Sequence, residues 1–598
     1  MAFAKRTVWC GEVSEEQIGQ TVTVNGWVNR NRDQGGIAFI DLRDRTGIIQ
    51  IVADSSHSED ALSIAEKLRS EFSVSVTGLV RQRPEGTENP NLKTGNVEIL
   101  INEVEILNPA KTPPFPITDE KDVDETVRLR YRYLDLRRPK MYEKLRLRHE
   151  VIRIIREFMY EREFIEVETP VLTKSSPEGA RDYLVPYRLG EGLFYALPQA
   201  PQQFKQLLMV GGFERYFQIA KCFRDEAQRA DRQPEFTQLD LEMSYVTQDD
   251  ILELIESLMI HVVHSVSTKT ITNPFTRLTY DEAIARYGSD KPDLRYGLEL
   301  KDCAEVLKDT EFVVFRGALD GGGQVKLIQY PGGAALSRKE IDDLTAIAKE
   351  AGAKGLAYLI VNEDGSVKSP IAKFLTQPEI DGLLALAEAK PGDLVAFSAD
   401  KPEVVAKVLD RLRREIASRN KLTDKETLAF CWVTDFPVFE WDEEGKFWTF
   451  AHNPFAMPHE EDIDRLESDP AACRAYCYDL VCNGQEAASG SIRIHKRDIQ
   501  ERIFKMLGNT PEQIEAKFGH MLEAFDYGAP PHGGIAPGLD RLITMLTDDE
   551  SIREVIAFPK AGNGVDPMMN APSTVEEKQI KELHIQVVYP PKKDDKGK

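Results

Sequence analysis

Residues 221–240 read KCFRDEAQRADRQPEFTQLD and form the most informative pattern in the chain. A β-type segment ends at Arg224, a polar loop follows, and Arg232 and Phe236 open a second β-type segment. Two strands joined by such a loop bring a guanidinium group and an aromatic ring to one place. The rigid donor fork of Arg224 suits a phosphate group, and the ring of Phe236 offers a face to a nucleotide base. The pattern indicates a nucleotide clamp; an ordinary hairpin with surface ion pairs is the alternative.

Two further segments accompany this pair of strands. Residues 163–172, EFIEVETPVL, end a long helical stretch, and any buried helix would explain them equally well. Residues 534–542, GIAPGLDRL, combine small residues with Arg541, which can cover the other face of a base. Small residues allow a close approach of backbones. The glycines do not follow the G-x-G-x-x-G dinucleotide pattern, and no Walker loop occurs. The ordered set of three segments, rather than any one of them, carries the inference.

The N-terminal part is rich in short β-type runs. They are separated by Gly, Asp and Asn, and one helical stretch from about Glu59 to Ser70 interrupts them. About five strands and one helix in some hundred residues predict a small Greek-key barrel of the OB type. The following segment NPAKTPPFP, residues 108–116, contains four prolines and predicts a linker.

The rest of the chain shows two patterns of predicted secondary structure. From about Tyr142 to Phe164 the pattern is helical, and beyond it short strands mix with helices. This mixture predicts an α+β domain on an antiparallel sheet. Between about Asp290 and Thr423 helical Ala/Glu/Lys-rich segments alternate with strands, and after this block the earlier strand-rich pattern resumes. The sequence therefore predicts an inserted α+β domain.

Composition limits the class of protein. The chain has 598 residues, of which 41% are hydrophobic and 29% charged, as in globular proteins of several domains. No apolar run reaches the ~18 residues of a membrane helix, and the start lacks the apolar centre of a secretory signal. We therefore expect a cytoplasmic protein. The formal net charge of −23 argues against indiscriminate coating of nucleic acid but leaves room for local basic patches.

Cysteine usage agrees with a reducing compartment. The seven cysteines are spread thinly, and the closest pair, Cys473 and Cys477, has no neighbouring Cys or His cluster. Tetrahedral zinc sites need four nearby ligands. Reduced thiols are the expected state.

Three pairs of arginines in the predicted barrel are each spaced two residues apart. The pairs are Arg30/Arg32, Arg43/Arg45 and Arg81/Arg83. On a strand this spacing puts both members on one face, and Phe39 lies between the first two pairs. An exposed aromatic ring beside basic groups suits stacking with an unpaired base. The alternative is a set of surface charges balanced by nearby acids. Those acids are Asp41, Asp44 and Glu98.

The three motifs in this order resemble the signatures of class II aminoacyl-tRNA synthetases. The predicted N-terminal OB barrel is similar to that of the aspartyl, asparaginyl and lysyl subgroup. Longer segments, spread over nearly the whole chain, resemble bacterial-type aspartyl-tRNA synthetases. These segments are YRYLDLRRP, PEGARDYLVP, FKQLLM, KCFRDE, RADRQPEFTQLD, YGSDKPDLR, GSIRIH and IAFPK. The inserted block is similar to the family's extra domain, whose namesake Gly-Ala-Asp reads Ser398-Ala399-Asp400 here.

The resemblance implies that L-aspartate is activated with ATP and then transferred to tRNA. It assigns ATP binding to Arg224, Asp225, Glu226, Gln233, Phe236, Glu486, Gly538, Leu539, Asp540 and Arg541. Within that set it assigns catalysis to Arg224, Glu226 and Arg541. It assigns Mg²⁺ to Asp479 and Glu486. Such chemistry depends on positioning and charge stabilisation, so no covalent nucleophile is expected.

The resemblance also defines an amino-acid pocket. It assigns aspartate binding to Glu178, Gln202, Lys205, Arg224, Asp240, His452 and Arg493. Lys205 and Arg493 correspond to the clamp for the side-chain carboxylate, and a neutral asparagine side chain would leave both cations without a partner. The chain departs from the family at Asn453, where a second His is usual, and at Ala487-Ala488-Ser489, where glycines are usual.

In the barrel the resemblance implies contacts to the anticodon. It assigns them to Arg30, Arg32, Phe39, Gln50, Arg81 and Glu98. The partner is tRNA(Asp), and charging of tRNA(Asn) as well is an open hypothesis. In the family, a glycine at the position of Gly86 favours relaxed recognition of tRNA, whereas Gln34 matches neither of the residues that are usual at its position.

These inferences give a predicted organisation. The divisions are an OB anticodon-binding domain 1–108, a linker or hinge 109–135, catalytic segments 136–290 and 424–589, an inserted domain 291–423 and a disordered tail 590–598. A homodimer is expected, with no membrane and no DNA as partners. The alternatives are an asparaginyl or lysyl enzyme, a non-catalytic RNA-binding paralogue and an ammonia-dependent asparagine-forming enzyme. The retained Arg224, Glu486 and Arg541 disfavour the paralogue, and the barrel disfavours the last alternative.

Overall fold

The computed structural model describes residues 3–175 and 179–589. The predicted tail, 590–598, and Glu178 lie outside these residues. The chain forms two compact units. One contains the residues up to 146 together with 557–561 and 565–572, and the other contains the remainder of the chain.

The first unit contains a closed barrel of five strands. Its strands are β1 (Thr21–Asp33), β2 (Ile37–Asp44), β3 (Gly47–Asp54), β4 (Ser73–Gln82) and β5 (Val97–Asn108), with helix α1 (Glu59–Ala65) between β3 and β4. The order around the barrel is β1-β2-β3-β5-β4, with a parallel β3–β5 pair and antiparallel neighbours elsewhere. Val24, Ile40 and Ile99 are among its fully buried residues. The predicted OB-type barrel is confirmed, and its helix ends earlier than the sequence indicated.

Short helices follow the barrel. They are α2 (Glu125–Arg130) and α3 (Arg132–Asp135), and the long helix α4 (Pro139–Tyr160) comes next. Asp135 is fully buried and pairs with Arg128, Arg132 and Arg138 at N–O distances of 3.1, 2.6 and 3.3 Å. Because a buried carboxylate needs such partners, this cluster fixes the turn before α4.

A sheet of eight strands dominates the second unit. The elements up to the inserted block are β6 (Ile165–Glu166), β7 (Leu184–Pro186), β8 (Phe194–Ala196), α5 (Gln202–Val210), β9 (Arg215–Phe223), β10 (Glu235–Ser244), α6 (Gln248–Val266), β11 (Thr270–Ile271), β12 (Thr276–Thr279) and α7 (Tyr280–Tyr287). The capping box of Thr247 and Asp250 starts α6, whose buried face includes Ile251, Ile255 and Leu258. This apolar face packs against the sheet.

The inserted block is a second, five-stranded sheet. Its elements are β13 (Lys301–Asp302), α8 (Val313–Asp320), β14 (Gln324–Tyr330), α9 (Arg338–Glu350), β15 (Ala357–Val361), β16 (Val367–Lys368), α10 (Gln377–Leu386), β17 (Leu394–Asp400) and α11 (Pro402–Arg419). Residues on β14 pack on opposite faces of the sheet. Ile328 and Tyr330 pack with α9 and α11, whereas Val325 and Leu327 pack with α8 and α10. The sheet therefore has helices on both sides.

The remaining elements complete the large sheet. They are β18 (Thr427–Leu428), β19 (Phe430–Pro437), β20 (Phe439–Asp442), β21 (Phe447–Phe450), β22 (Arg474–Cys482), β23 (Gln485–Ile492), α12 (Arg497–Met506), α13 (Pro511–Phe525), β24 (His532–Pro537), α14 (Leu539–Thr547) and α15 (Glu577–Glu582). The strand order is β12-β19-β22-β23-β24-β10-β9-β6. The six inner strands are antiparallel as predicted, but the edge strands β12 and β6 run parallel to their neighbours, so the sheet is mixed. In the described parts of the chain, no helix has the length and apolar character needed to cross a membrane.

Candidate active site

Two adjoining cavities lie on the inner strands of the large sheet. Their volumes are about 310 and 200 Å³. Five residues line both cavities: Arg224, Glu226, Gln238, Glu486 and Ala536. Because they share these walls, the cavities form one continuous slot, with the arginine of the sequence motif at its middle.

A network of buried charges closes the larger cavity. Lys205 on α5 places its Nζ 2.7 Å from Asp240 Oδ1 and 3.3 Å from Glu242 Oε2. Arg493, which follows β23, places its Nε 2.9 Å from Glu242 Oε1 and donates from Nη1 to Ser491 Oγ at 2.7 Å. The four charged side chains are at most 4% exposed. At such burial each charge depends on its partners for stability.

The two acids of this network are not equivalent. Burial and the neighbouring charge of Glu242 raise the pKa of Asp240 in spite of Lys205. Burial would also raise the pKa of Glu242, but Arg493 and Lys205 hold it below its usual value. Asp240 Oδ2 is buried and has no hydrogen-bond partner among the residues that the structure describes. An acceptor of this kind at the cavity wall suits a ligand ammonium group.

The smaller cavity has the features of a nucleotide site. The guanidinium carbon of Arg224 lies 5.0 Å from the centre of the Phe236 ring, and Gln233 is buried beside them in the cavity wall. Arg541 also lines this cavity, where its Nη1 donates to the carbonyl oxygen of Glu486 at 2.8 Å. An aromatic face and two arginines fit a base and its phosphates.

A histidine cluster borders the larger cavity. His452 Nε2 lies 2.8 Å from Asp479 Oδ1 and 2.9 Å from Ser489 Oγ, and Asn453 Nδ2 lies 2.8 Å from His452 Nδ1. Burial would lower the pKa of His452, but Cys477 and Asp479 raise it well above its ordinary value. Asn453 stands 2.8 Å from the imidazole, at the position where the family usually has a second histidine.

Two carboxylates are available for a metal ion. Glu486 lines both cavities, while Asp479 is buried behind it and bonded to His452. Burial and the charge of Glu486 raise the pKa of Asp479, so the two groups interact closely. No cluster of three or more His, Cys, Asp or Glu side chains suited to a metal occurs within 3–175 and 179–589. Mg²⁺ is commonly held by one or two carboxylates together with substrate phosphates, and this pair fits that donor set.

Glu242 is a functional residue that the sequence reasoning missed. It lies two residues after Asp240 on β10 and is fully buried between Lys205 and Arg493. A Cβ at Gly534 would approach Glu242 Oε2 to 2.0 Å, so only glycine at that position leaves room for the carboxylate. The two-residue spacing from Asp240 was the signal that could have identified it.

Glu242 also corrects one expectation about substrate choice. Lys205 and Arg493 were expected to lack partners unless an acidic substrate side chain bound. Both cations already pair with Glu242, and Lys205 also pairs with Asp240. An amide substrate would therefore be disfavoured by a weaker interaction with the two cations rather than by leaving them unpaired.

Some predicted ATP residues lie away from the cavities. Asp225 bridges to Arg181 through its backbone nitrogen at 3.1 Å, and Leu539 is buried in the apolar core. Asp540 borders the smaller cavity, but its carboxylate pairs with Arg148 and accepts from the backbone nitrogen of Thr237 at 2.8 Å. These contacts show Asp540 anchoring the start of α14. Gln202, which was predicted to bind the substrate aspartate, also lines the larger cavity.

The barrel carries a second polar network. Arg32 Nη2 donates to Asp41 Oδ1 at 2.9 Å and to Gln50 Oε1 at 3.2 Å. Gln50 Nε2 donates to Glu98 Oε2 at 2.8 Å, and Arg81 Nε donates to Glu98 Oε1 at 2.8 Å. The structure thus brings together four of the predicted anticodon residues.

The other barrel predictions have mixed outcomes. Phe39 pairs with Val52 across β2 and β3, is half-buried and lies outside the barrel's apolar core, while Arg30 is exposed. Gln34 is exposed between β1 and β2, and Gly86 is exposed with a φ of +82°, which favours glycine. All four residues are therefore at least partly accessible to a tRNA partner.

The second arginine pair does not form a surface pair, contrary to expectation. Arg43 is 6% exposed and donates to both carboxylate oxygens of Glu71 at 2.8 and 2.9 Å. Arg45 lies beyond the end of β2, and its guanidinium carbon is 4.2 Å from the centre of the Trp9 ring. The two-residue spacing does not put both arginines on one face, because β2 ends at Asp44, between them.

Comparison with family models agrees with this geometry. The model for class II tRNA synthetases (D, K and N) matches residues 124–562, and the model for OB-fold nucleic-acid-binding domains of the anticodon type matches residues 22–107. The first match alone covers more than half of the chain.

Curated relatives match nearly the full length. A protein of Anoxybacillus flavithermus named aspartate–tRNA(Asp/Asn) ligase is 55% identical over 97% of this chain and 98% of its own. One of the same name from Syntrophomonas wolfei is 52% identical over 98% and 99%. A Geobacillus kaustophilus protein named aspartate–tRNA ligase is 53% identical over 98% and 99%.

Solved structures share the fold. The asparaginyl-tRNA synthetase of Pyrococcus horikoshii has a TM-score of 0.58 at 18% identity, covering 93% of this chain and 98% of its own. The aspartyl-tRNA synthetase of Entamoeba histolytica has a TM-score of 0.56 at 20% identity, covering 91% and 89%. With the matching motifs, cavities and barrel, the chain belongs to the class II tRNA synthetases of the D, K and N group and, within it, to the family of the aspartate–tRNA ligases.

Proposed function

We propose that this protein activates L-aspartate with ATP to aspartyl-adenylate and transfers the aspartyl group to the 3′ end of tRNA(Asp). The observation that carries the proposal is the buried network of Lys205, Arg493, Asp240 and Glu242 at the end of the slot that begins at Phe236. Two cations can receive the side-chain carboxylate, and the unpaired oxygen of Asp240 can receive the ammonium group. The relatives with this name support the same substrate.

Adenylate formation needs the substrate carboxylate to meet the α-phosphate. Arg224 borders both cavities, so its guanidinium can bind the α-phosphate where the two substrates join. Phe236 and Arg541, which both line the smaller cavity, hold the base. The aspartate carboxylate oxygen attacks phosphorus and pyrophosphate leaves, so the residues act by orientation and by stabilising negative charge.

The carboxylates at the junction suit a divalent cation. Glu486, with Asp479 behind it, would hold Mg²⁺ beside the ATP phosphates. Bound Mg²⁺ supplies charge neutralisation for the departing pyrophosphate. Glu226, which lines both cavities, supplies a further carboxylate near the nucleotide.

Aspartate-dependent ATP–pyrophosphate exchange tests the activation step. Aspartate, asparagine and lysine are supplied separately to the purified protein. Exchange with aspartate alone is expected, because only its side chain carries a negative charge for Lys205 and Arg493. Exchange with either other amino acid would replace this proposal with the asparaginyl or lysyl alternative, and no exchange by a folded protein would favour a non-catalytic paralogue.

The barrel network, whose two arginines are partly exposed, supports recognition of the anticodon. Phe39 on β2 offers a ring, and the other four barrel strands carry hydrogen-bonding groups, those of Arg32, Gln50, Arg81 and Glu98. Stacking and polar contacts of this kind suit unpaired bases.

Charging of tRNA(Asn) as well is the second part of the proposal. The glycine at position 86, which leans toward relaxed recognition in the family, and the named range of two relatives favour it. Purified tRNA(Asp) and tRNA(Asn) are each charged with labelled aspartate. Product from both is expected. No product from tRNA(Asn), under conditions that charge tRNA(Asp), would restrict the protein to the aspartate tRNA.

We also propose a homodimer in the cytoplasm. Large apolar side chains are exposed near β6 and on the β7–β8 hairpin. They are Ile165, Val171, Leu172, Leu184, Leu189 and Leu193, each 47–71% exposed. Exposed apolar patches of this kind mark interaction surfaces, and the seven cysteines are free and buried, as suits a reducing compartment. Light scattering would show a dimer, and Leu184→Asp with Leu193→Asp would shift it toward the monomer.

A further inference from the structure

Lys291 occupies a position beside the proposed metal-binding carboxylate. It lies in the loop between α7 and β13, and its Nζ is 3.1 Å from Glu486 Oε2 and 3.6 Å from Asp290. Arg541 Nη1 lies 3.7 Å from the other oxygen, Glu486 Oε1. Each carboxylate oxygen of Glu486 therefore already faces a cation.

The loop that carries Lys291 is held firmly. Arg413 on α11 is 1% exposed and donates to the carbonyl oxygens of Asp293, Tyr296 and Gly297 at 2.8, 2.9 and 2.9 Å. A Cβ at Gly484, in the turn between β22 and β23, would lie 3.4 Å from Asp293 Cβ. The inserted block and the β22–β23 turn thus fix the backbone next to Lys291, so its contact with Glu486 is built into the fold.

The charges at this place bear on metal binding. Lys291 at 3.1 Å and Arg541 at 3.7 Å pair with the two carboxylate oxygens of Glu486 in the free protein. Asp479 lies behind it, bonded to His452. A free divalent cation approaching Glu486 meets two positive charges at short range, which weakens its binding. A metal that arrives with the phosphates of ATP brings compensating negative charge.

We propose that Lys291 is a positioning residue that holds Glu486 in the free protein and competes with free Mg²⁺ for it, so that the metal binds together with ATP. This inference rests on the proposed function, because it assumes that Glu486 holds the metal. Lys291 acts through Glu486 and does not itself need to touch the substrates. Release of Lys291 from Glu486 on ATP binding would leave the Glu486 carboxylate ordered and facing the ATP phosphates.

Binding of Mn²⁺ to the free protein, followed by electron paramagnetic resonance, tests the proposal. The samples are the unaltered protein, Lys291→Met, Lys291→Gln and Lys291→Arg, without ATP. Removal of the charge is expected to tighten Mn²⁺ binding by about tenfold or more, since one repelling charge at short range is lost. Lys291→Arg retains the charge and is expected to match the unaltered protein.

A matched control distinguishes the local effect from a change in overall charge. Lys354→Met removes another lysine that pairs with a carboxylate, Asp400, at 3.2 Å, and it should leave Mn²⁺ affinity unchanged. Equal Mn²⁺ affinity in the unaltered, Met and Gln proteins would overturn the proposal. If circular dichroism shows that one of the two neutral variants fails to fold, the Mn²⁺ affinity of the other decides the test.

A second readout separates this inference from the proposed function. The Mg²⁺ concentration that half-saturates aspartate-dependent exchange is expected to fall in Lys291→Met. If the unaltered protein shows no such exchange, the proposed function fails, whereas exchange with an unchanged metal requirement in Lys291→Met overturns the competition alone.

Discussion

The catalytic sheet and the barrel each carry a network of basic and acidic side chains, but the two networks differ in burial. In the catalytic sheet, Lys205 and Arg493 are 2% and 4% exposed, and their partners are fully buried. In the barrel, Arg32 and Arg81 are 38% and 37% exposed, although Glu98 is buried. The same residue types therefore serve two different tasks.

Burial explains the difference in task. Charges removed from water interact strongly and tolerate few arrangements, which suits selection of one small substrate. Half-exposed charges contribute little to stability but keep donors and acceptors free for a large, flexible partner. The comparison leads to three predictions.

The largest effect is expected for Arg493→Met. The substitution leaves Glu242 buried with Lys205 as its remaining cation, so we expect a loss of about 3–5 kcal/mol in the free energy of unfolding. We expect aspartate-dependent exchange to fall about a thousandfold, the rate equivalent of ~4 kcal/mol. Denaturant titration and ATP–pyrophosphate exchange measure the two effects.

Arg497→Met provides the matched control for Arg493→Met. Arg497 likewise forms ion pairs, with Glu501 and Asp526, but it is 38% exposed. Its loss should change stability by about 1 kcal/mol or less and leave exchange unaltered. If the two variants lose stability equally, burial does not set the cost and the comparison with the barrel breaks down.

An intermediate effect is expected for Phe39→Ala in the barrel. Loss of one base-stacking ring costs about 1–3 kcal/mol of binding, so kcat/KM for tRNA(Asp) should fall roughly 5- to 150-fold. Pyrophosphate exchange without tRNA should stay unchanged, because the ring is not part of the aspartate or ATP site. Steady-state charging and exchange assays compare the two activities.

Phe72→Ala is the control in the same barrel. Phe72 packs against the barrel's apolar core, whereas Phe39 does not. Its loss should lower the melting temperature but leave the tRNA dependence unaltered well below that temperature. A fall in charging of equal size in both variants would mean that Phe39 supports the barrel rather than the anticodon.

Sequence alone predicted the barrel and the order of motifs well because both follow from local patterns. Alternating apolar residues give β1 to β5, and the loop between Arg224 and Phe236 joins β9 to β10 as expected. The parallel edge strands β6 and β12 were missed because each has only two to four residues and pairs with a distant segment. Such pairing leaves almost no local signal.

The site was harder to predict where partners come from distant segments. Arg493 and Glu242 are 251 positions apart, and Lys291 meets Glu486 across the entire inserted block. The resemblance supplied Arg493 and Glu486 but assigned no role to their partners Glu242 and Lys291, although Lys291 lies within the segment YGSDKPDLR. Only the folded sheet and the loop held by Arg413 bring these charges together.

The smallest effect is expected from pH and concerns His532 on β24. It is fully buried, its Nδ1 lies 2.7 Å from the carbonyl oxygen of Pro530, and its Nε2 lies 3.2 Å from Gln206 Nε2. Burial lowers its pKa from the ordinary 6.5, with Glu242 opposing the change. As pH falls below about 6.5, the unfolded chain therefore takes up the proton before the folded one, and stability decreases. His532→Gln should reduce the fall in melting temperature between about pH 7 and 5.5 by a degree or two.

His57→Gln, at an exposed position in the barrel domain, is the control and should leave the slope of melting temperature against pH unchanged. An unchanged slope in His532→Gln would show that burial of this histidine does not set the acid sensitivity, and the contrast between the buried sheet and the exposed barrel face would then not extend to protonation.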